Sequence, residues 1–442
     1  MTDQAATNVF EALRASISRM PVHTLSGRAQ SVQGGSILVD LPGVRIGEIC
    51  RLSDPQTGWS AEAEVAGFDG DQARLTASGS LRGFSLATEI RPLGRAKALG
   101  ISDGLLGRVI DSEGHALDGA GTRVVAGDMR SLHAAPVPAM SRRPITRPLT
   151  VGLRVIDGLL TCGEGQRVGI FGAPGAGKST LLTSLVRGAE ADVCVVGLIG
   201  ERGREVGEFV ERLRAEGRGP SSVVVAETSD RAPIARVNAG YAAMTVAEHF
   251  RDQGKSVLLV IDSLTRFARS LRDIALTSGE LPARRGFPTS VFAALPQLLE
   301  RAGQGTRGAI TAFFTVLTEG DADDDPLAEE VLGLLDGHIS LSGELAAQGH
   351  YPAIDILKSR SRVMPAITSD AHQRISEAVL AQYAKYREVE FLLQIGEYEP
   401  GADAMADRAI ASHDAIAAFL RQRPNEMADF DTAWTTLREA VT

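Results

Sequence analysis

The sequence predicts an α/β protein built around a parallel sheet, with a small β-barrel before the sheet and helices after it. Between residues 150 and 365, apolar runs alternate with helical segments, as expected for parallel strands buried on both faces. From residue 21 to 95, short β-type runs alternate with Gly- and Asp-rich turns, which is typical of a small barrel or sandwich. From about residue 367 the apolar residues recur at helical spacing.

The overall composition narrows the class of protein. A chain of 442 residues is long enough for two or three domains. Its net charge of −9 and aromatic content of 5% argue against a non-specific nucleic-acid binder. Cys50, Cys162 and Cys194 are too few and too widely spaced for a disulfide framework or a zinc site, which indicates a reducing cytosol. Because no apolar run approaches the ~18 residues of a membrane span, we expect at most peripheral membrane contact.

Outside the sheet region, the chain shows three further patterns. Residues 1–20 carry one apolar stripe at helical spacing, which either docks on the chain itself or binds a partner. The clearest strand candidates of the barrel region are Ser36–Val39, Ala61–Phe68 and Ala73–Thr76. A proline-rich crossing, APVPAMSRRPITRPL, follows, and its prolines favour an extended linker over a helix. We expect the paired Arg142 and Arg143 in it to lie on solvated surface.

The most specific motif lies where the first strand of the sheet region meets a helix. After the apolar run VGIF comes GAPGAGKS, which fits the phosphate-loop pattern G-x-x-x-x-G-K-[ST] in its required context. Its glycines let several N–H groups point at one phosphate, and the helix N-terminus adds partial positive charge. Lys178 can reach the β- and γ-phosphates, and the Ser179 hydroxyl can ligate Mg²⁺. The predicted nucleotide-contacting residues are Gly172, Ala173, Pro174, Gly175, Ala176, Gly177, Lys178, Ser179 and Thr180.

Two other strand candidates end in acidic residues, and in a parallel sheet these would lie at the same edge as the loop. Asp262 follows an apolar run as a Walker B aspartate does, so we expect it to hold Mg²⁺ through water, a helix N-cap being the alternative. Glu201 is a candidate for orienting or deprotonating the attacking water. Because it is flanked by Arg202 and Arg204, spacing alone favours a surface ion pair over the catalytic role.

Phosphoryl transfer also needs positive charge at the transition state, often from an arginine of another subunit. The segment SRSRV, with Arg360 and Arg362, follows the last strand candidate and is a plausible subunit edge. Spacing alone does not choose between the arginines.

Longer motifs make the chain resemble a known family. GERGREV comes at the end of the second strand, VLLVIDSLTRFARSLRDIALTSGELPARRGFPTSVFAALPQLLERAG begins with the third, and ITAFFTVLTEGD, DGHISLS and GHYPAIDILKSRSRVM come later. From about residue 20 to its C-terminus the chain resembles the ATPases of type III protein export systems, which are similar to the catalytic β subunit of the F-type rotary ATPase. The resemblance implies a P-loop NTPase core of RecA/F1 type in residues 96–366, a β-barrel domain in residues 21–95 and a helical domain in residues 367–442.

The resemblance implies roles for individual residues. Glu201 matches the family's catalytic glutamate, which acts beside Lys178. Arg362 matches an arginine finger that acts on a neighbouring subunit, with Arg360 two residues away as the alternative. Tyr351 matches the position that stacks on adenine, the alternative being a tyrosine packed before Pro352.

The resemblance also implies an assembly and partners. Since one chain carries the phosphate loop, the glutamate and the finger, a homohexamer with six equivalent sites is expected. Residues 1–20 would bind a stator-like regulator, and the C-terminal helices would face a coiled-coil stalk protein. Further expected partners are an export gate and chaperone–substrate complexes. We expect ATP and Mg²⁺, no nucleic acid, and a cytoplasmic protein peripheral to the bacterial inner membrane.

The expected function is ATP hydrolysis that releases or unfolds chaperone-bound proteins for export. SLRDIALTSGELPARRGFP, AETSDR and DPLAEEVLGLLDGH favour the injectisome branch over the flagellar branch. A hexameric RNA translocase would need a basic, aromatic barrel, whereas residues 21–95 offer Trp59, Phe68 and Phe84 with few lysines. A non-catalytic nucleotide-binding subunit is disfavoured by Glu201.

Overall fold

The computed structural model describes residues 25–119, 127–318 and 325–441. It separates into two compact units, Met1–Lys97 and Ala98–Thr442. The amphipathic stripe predicted in residues 1–20 lies outside the described residues. Among the described residues, no helix is both long and apolar enough to cross a membrane.

The first unit contains a closed barrel of antiparallel strands in the order β1-β2-β5-β4-β3-β6. Its strands are β1 (Gly27–Gln33), β2 (Ser36–Val39), β3 (Glu48–Ser53), β4 (Ser60–Asp69), β5 (Gln72–Ala77) and β6 (Glu89–Ala96). Every second residue of β5 is buried, so the alternating pattern of the sequence fills the barrel interior. β1 was not predicted because most of its residues are exposed and it lacks that alternation.

The second unit is built on a sheet in the order β17-β16-β10-β15-β13-β11-β12-β8, with β14 paired to β15. Its strands are β8 (Val109–Ile110), β10 (Arg167–Gly172), β11 (Val193–Glu201), β12 (Ser222–Thr228), β13 (Ser256–Asp262), β14 (Gly303–Gln304), β15 (Ala309–Leu317), β16 (Gly337–Leu341) and β17 (Ile354–Ser361). β7 (Ala98–Ile101) and β9 (Asp128–Ser131) form a separate pair. Each predicted strand of this region lies within an observed one.

Helices cover both faces of this sheet. They are α1 (Arg154–Leu159), α2 (Lys178–Gly188), α3 (Gly203–Ala215), α4 (Pro233–Asp252), α5 (Leu264–Thr277), α6 (Thr289–Leu299), α7 (Pro326–Leu334), α8 (Gly343–Ala347), α9 (Met364–Ile367), α10 (Asp370–Gln394), α11 (Ala404–Leu420) and α12 (Phe430–Glu439). Val193 and Val195 of β11 belong to one hydrophobic core and Cys194 and Val196 to the other, so the strand is buried on both faces as predicted.

The C-terminal helices are tied to the sheet domain through α1 and the residues just before it. His372 Nε2 and Ser376 Oγ of α10 both donate to the Gly158 carbonyl, at 2.6 and 3.1 Å. After α11, Gln422 Nε2 donates to the Gly152 carbonyl at 2.8 Å. The apolar residues of α10 that recur at helical spacing pack against the hydrophobic core that contains Cys194 and Val196 of β11.

The strand directions decide which residues share an edge. β8, β10, β11, β12, β13, β15 and β16 run parallel to one another, whereas β14 and β17 are antiparallel to the strands they pair with. The carboxyl ends of the parallel strands therefore bring Gly172, Glu201 and Asp262 to one edge of the sheet. β17 runs the other way, and its last residue, Ser361, pairs with Gly337 at the beginning of β16. Arg362 consequently leaves the sheet at the opposite, amino edge.

The proline-rich crossing is held to the body by its two arginines. Arg142 donates to the carbonyls of Val137 at 3.0 Å and Glu300 at 2.5 Å, and Arg143 donates to the Gly305 carbonyl at 3.2 Å. Arg143 is exposed as predicted, whereas the prediction is wrong for Arg142, which is half-buried. The guanidinium groups satisfy backbone carbonyls of the crossing and of the segment before β15.

A buried ion pair joins α4 to the end of α6. Arg301 is 1% exposed, and its guanidinium forms a two-pronged contact with Glu248 at 3.0 and 2.6 Å. It also donates to the Leu132 carbonyl at 2.5 Å and to Thr245 Oγ1 at 2.9 Å. Removing one partner of such a pair leaves an uncompensated buried charge.

We therefore expect Arg301→Met to lower the free energy of unfolding by about 3–5 kcal/mol. The matched control is Arg130→Met, which breaks the exposed Arg130–Asp252 pair and should cost at most about 1 kcal/mol. Denaturant unfolding followed by circular dichroism measures both. Equal small effects of the two variants would contradict the assignment of Arg301 as a core ion-pair partner.

Candidate active site

The loop between β10 and α2 has the backbone that a phosphate cradle needs. Gly175 and Gly177 have φ angles of 87° and 85°, in the left-handed region that side chains rarely adopt. A Cβ at Gly172 would lie 2.8 Å from Leu341 Cβ, so the loop also packs closely on the end of β16. Ala176 is buried under the turn. The predicted loop residues thus form one bend directly before the N-terminus of α2.

Lys178 links this loop to the end of β13. Its Nζ donates to Asp262 Oδ1 at 2.6 Å, and both side chains are largely buried. Thr315 Oγ1 of β15 donates to the same oxygen at 2.7 Å. Because both hydrogen bonds go to Oδ1, Oδ2 remains available for a further ligand.

Asp262 is not the cap of the helix that follows it. The Ser263 hydroxyl accepts the Arg266 N–H at 3.3 Å and caps α5. The N-cap alternative for Asp262 is therefore wrong, and its carboxylate faces Lys178 instead.

Glu201 lies at the end of β11 after a glycine with φ of 67°. Its side chain is 8% exposed, and Arg266 Nη2 lies 3.2 Å from its Oε2. Arg266 also donates to the Gly200 carbonyl, so one guanidinium holds both the carboxylate and the backbone before it. The flanking Arg202 and Arg204 pair instead with Glu205 and Glu208, so Glu201 does not form the surface ion pair with its sequence neighbours; its ion pair is the buried one with Arg266.

Burial raises the pKa of Glu201 to about 7. The charge of Asp262 and a hydrogen bond to Glu205, which favours the protonated form, act in the same direction, whereas Arg266 and Lys178 oppose them. A carboxyl group that titrates near neutrality can accept a proton and release it again at the operating pH.

One cleft of about 600 Å³ joins these residues. Its lining includes most of the predicted loop residues together with Glu201, Asp262 and Arg266. The volume is in the range of small-molecule sites. Glycine-cradled N–H groups, one lysine and two carboxylates in a single cleft suit a triphosphate and a water molecule aligned with its last phosphorus.

Tyr351 lies beside the loop, outside this cleft. A Cβ at Gly177 would be 3.1 Å from Tyr351 Cε1, and the ring is 38% exposed. It lines a small hollow with Thr180 of α2 and with Gln422, Arg423 and Pro424. The position is compatible with a base stacked near the loop.

The structure does not bring Arg360 or Arg362 to the phosphate loop of the same chain. Arg362 is exposed just beyond β17, and its N–H donates to the Asp336 carbonyl at 2.9 Å. Since Ser361 is level with the start of β10, the length of that strand, about 17 Å for the five steps between its six residues at a rise of about 3.3 Å, separates Arg362 from Gly172. Either arginine could therefore act only on another copy of the chain.

Sequence reasoning missed two residues of the cleft. Arg266 is one of several arginines in α5, and Glu205 is one of three glutamates in α3. The available signal was their position: each is the third residue of a helix that follows a strand ending at the cleft. Which face meets the cleft depends on how each helix packs on the sheet, and the local sequence does not state this.

A phosphate loop, a lysine and two buried carboxylates at the carboxyl edge of a parallel sheet define a P-loop nucleoside triphosphatase. The comparisons specify which one. A sequence model described as the ATP synthase alpha/beta family, nucleotide-binding domain, matches residues 152–361. A second, described as the T3SS EscN ATPase C-terminal domain, matches residues 368–439.

Relatives match over nearly the whole chain. A type 3 secretion system ATPase of Sinorhizobium fredii is 51% identical over 96% of this chain and 93% of the relative. The SPI-2 type 3 secretion system ATPase of Salmonella typhimurium is 47% identical over 94% and 95%. A flagellum-specific ATP synthase of Treponema pallidum is 44% identical over 93% and 92%.

Solved structures agree. The assembled ATPase EscN of the enteropathogenic E. coli type III secretion system matches with a TM-score of 0.90 and 42% identity, over 94% of this chain and all of that one. EscN in complex with its central stalk EscO matches with a TM-score of 0.86 and 41% identity, over the same shares. The chain belongs to the type 3 secretion ATPases of the ATP synthase α/β family and is an ATP-hydrolysing enzyme.

Hydrolysis should fall on the acid side of neutrality. If Glu201 accepts the proton of the attacking water, it must be ionised, and the pKa of about 7 places that requirement near pH 7. We expect kcat/KM for ATP to fall about tenfold per pH unit well below that value. Glu205→Ala removes the hydrogen bond that favours the protonated form and should move this acid limb to lower pH. A flat profile from about pH 5.5 to about pH 8 would exclude Glu201 as the titrating base.

Proposed function

We propose that this chain is the motor ATPase of an injectisome, and that it uses Mg²⁺ and ATP to release or unfold chaperone-bound proteins for export. The main supporting observation is that the groups of the site are divided between the two edges of the sheet. Lys178, Asp262 and Glu201 meet in one cleft, while the candidate finger lies at the far edge of the same sheet. The site is complete only where a second copy supplies Arg362.

The proposed assembly is a homohexamer in which each subunit gives its cleft to one neighbour and its finger to the other. A head-to-tail contact of this kind closes into a ring when its rotation fits. The candidate arginines support it, since neither guanidinium has a hydrogen bond or ion pair to another described residue. Two arginines beside His338, whose pKa is lowered by burial and also by their charges, are suited to an anionic partner.

The chemistry follows from the cleft. The loop N–H groups and Lys178 hold the β- and γ-phosphates, and Lys178 exchanges Asp262 for a phosphate oxygen as the nucleotide enters. Ser179 and the free Oδ2 of Asp262 are hard oxygen ligands that fit Mg²⁺, which would neutralise phosphate charge when bound. Glu201 takes a proton from the attacking water as the water oxygen bonds to the γ-phosphorus and the bond between that phosphorus and ADP breaks. Arg362 of the neighbour stabilises the charge that develops.

The remaining partners are proposed from the resemblance and from exposed surface. The hairpin of α10 and α11 ends in Phe391, Leu392 and Ile395, which are 66, 39 and 49% exposed, and such an apolar end suits a coiled-coil stalk. EscN is known in complex with a central stalk. Residues 1–20 would bind the stator-like regulator, and the export gate and chaperone–substrate complexes would be met from the cytoplasm at the inner membrane.

The proposed domain limits remain residues 1–20, 21–95, 96–366 and 367–442. The boundary between the two compact units, after Lys97, lies close to the limit at residue 95. The C-terminal family match begins at residue 368, close to the limit at residue 366. For the base, Tyr351 is proposed to stack on adenine. The RNA translocase is not supported, because Trp59 packs edge-on against Phe84 at 5.9 Å within the barrel unit, which leaves Phe68 as the exposed one of these three aromatic residues.

Glu201→Gln should bind ATP with unchanged affinity but hydrolyse it about 10²- to 10⁴-fold more slowly, since the amide keeps the size of the side chain and cannot accept the proton. ATP binding by a fluorescent analogue and phosphate release measure the two properties. Glu211→Gln, the same substitution at an exposed position of α3, is the control. Substantial turnover by Glu201→Gln would remove Glu201 from the role of base.

Arg362→Ala should assemble normally and lose about 10³-fold or more in kcat, since a trans arginine contributes that much in related transfers. Arg360→Ala is the matched variant, two residues earlier, and should retain most activity. The reverse result would make Arg360 the finger. Full activity in both would reject the trans-acting site.

A further inference from the structure

A network of hydrogen bonds at the amino edge of the sheet holds the backbone that carries Arg362. Its centre is Asp336, just before β16. The Asp336 carboxylate accepts three bonds from Arg167, the first residue of β10: from the backbone N–H at 3.1 Å, from Nε at 3.0 Å and from Nη2 at 3.1 Å. The Asp336 N–H donates back to the Arg167 carbonyl at 2.9 Å, and the Asp336 carbonyl accepts the Arg362 N–H at 2.9 Å.

Gln166 fixes the residue before the finger. Its side chain is buried, and Nε2 donates to the Asp336 carbonyl at 3.1 Å and to Ser361 Oγ at 3.2 Å. Ser361 Oγ in turn donates to the Thr161 carbonyl at 2.9 Å. Ser361 is therefore bonded to Gln166, just before β10, and Arg362 is bonded to Asp336, which Arg167 at the start of β10 holds.

The network extends outward to the proline-rich crossing. Arg167 Nη1 donates to Glu300, whose other oxygen lies 3.1 Å from Arg142 Nη1. Arg142 is the arginine that anchors the crossing. The Arg362 guanidinium itself has no hydrogen bond or ion pair with any other described side chain, so its reach is set by its backbone alone.

We propose that Asp336, Arg167 and Gln166 are positioning residues for the arginine that completes the neighbouring subunit's site; this rests on the proposed trans role of Arg362. β10 then has two duties. Its carboxyl end carries the subunit's own phosphate loop, and its amino end mounts the arginine offered to the next subunit.

A loosened finger should slow turnover in the neighbouring site without weakening nucleotide binding in either subunit. Asp336→Asn removes the charge that Arg167 grips, which loosens the finger and leaves the subunit's own cleft intact. We expect kcat to fall about 10- to 100-fold, the cost of a misplacement of about 1 Å, with KM for ATP and hexamer formation unchanged. Arg167→Met should act alike. Arg147→Gln, which breaks an exposed pair with Glu164 near the same edge, is the control and should be unaffected.

Mixed rings test whether the defect acts in trans. Lys178→Ala subunits lack a working loop but keep their finger, whereas Arg362→Ala subunits keep the loop and lack the finger. Asp336→Asn subunits mixed with Lys178→Ala subunits should regain activity, because an intact loop then meets an intact finger. Mixed with Arg362→Ala subunits they should stay inactive, because neither offers a working finger.

Each other outcome overturns the proposal in a recognisable way. Rescue by Arg362→Ala and not by Lys178→Ala would place the defect in the subunit's own loop. No rescue by either, or no loss of kcat in Asp336→Asn and Arg167→Met, would leave the network a structural role only. If Arg362→Ala and Lys178→Ala subunits do not rescue each other, the trans finger of the proposed function is at fault, and the positioning role is rejected with it.

Discussion

The direction of the strands is the constraint on which everything else in this chain depends. Parallel strands deliver their carboxyl ends to one edge, so residues far apart in sequence meet there without any long loop. Lys178 and Asp262 are 2.6 Å apart because β10 and β13 both end at that edge with only β15 between them. Thr315, from the intervening strand, bonds to the same oxygen of Asp262. The position of the cleft is therefore set by the direction of the strands, and the side chains then determine its chemistry.

β17, which pairs antiparallel with β16, has the opposite consequence. By reversing direction, β17 sends its last residues away from the cleft, so that Arg362, the proposed finger, ends at the edge opposite its own site. In the proposed ring this placement is suitable, because the face that lacks the arginine meets a neighbouring face that offers it. The same reversal makes the beginning of β10 the natural support for the segment that follows β17.

The sequence sufficed for the parts of the site that one continuous segment determines. A phosphate loop is set by residues adjacent in the chain, and Glu201 and Asp262 directly follow apolar runs that can only be strands. Arg266 and Glu205 were not predicted, because a helix offers several equivalent polar positions and tertiary packing selects one. The barrel strand β1 was missed for a related reason: as a mostly exposed strand it carries no apolar alternation.

Arg142 shows the limit most clearly. A pair of arginines between prolines is typical of solvated surface. Only the fold shows that Arg142 donates to backbone carbonyls, one of which, that of Glu300, lies far away in the sequence. The Asp336 network has the same character, since its bonds join residues separated by 169 positions in the chain. Long-range polar satisfaction leaves no local signature, whereas buried strands do.

β17 has a further consequence, for solubility. As the last strand of the sheet it presents backbone N–H and C=O groups that another sheet could extend, and its Leu357 is 46% exposed. The barrel of the first unit avoids this hazard by closing on itself. β17 cannot close, and instead carries Lys358 and Arg360 along its exposed length. Cationic side chains on an edge strand repel a second such edge, so Lys358 and Arg360 disfavour aggregation of the free chain through strand pairing.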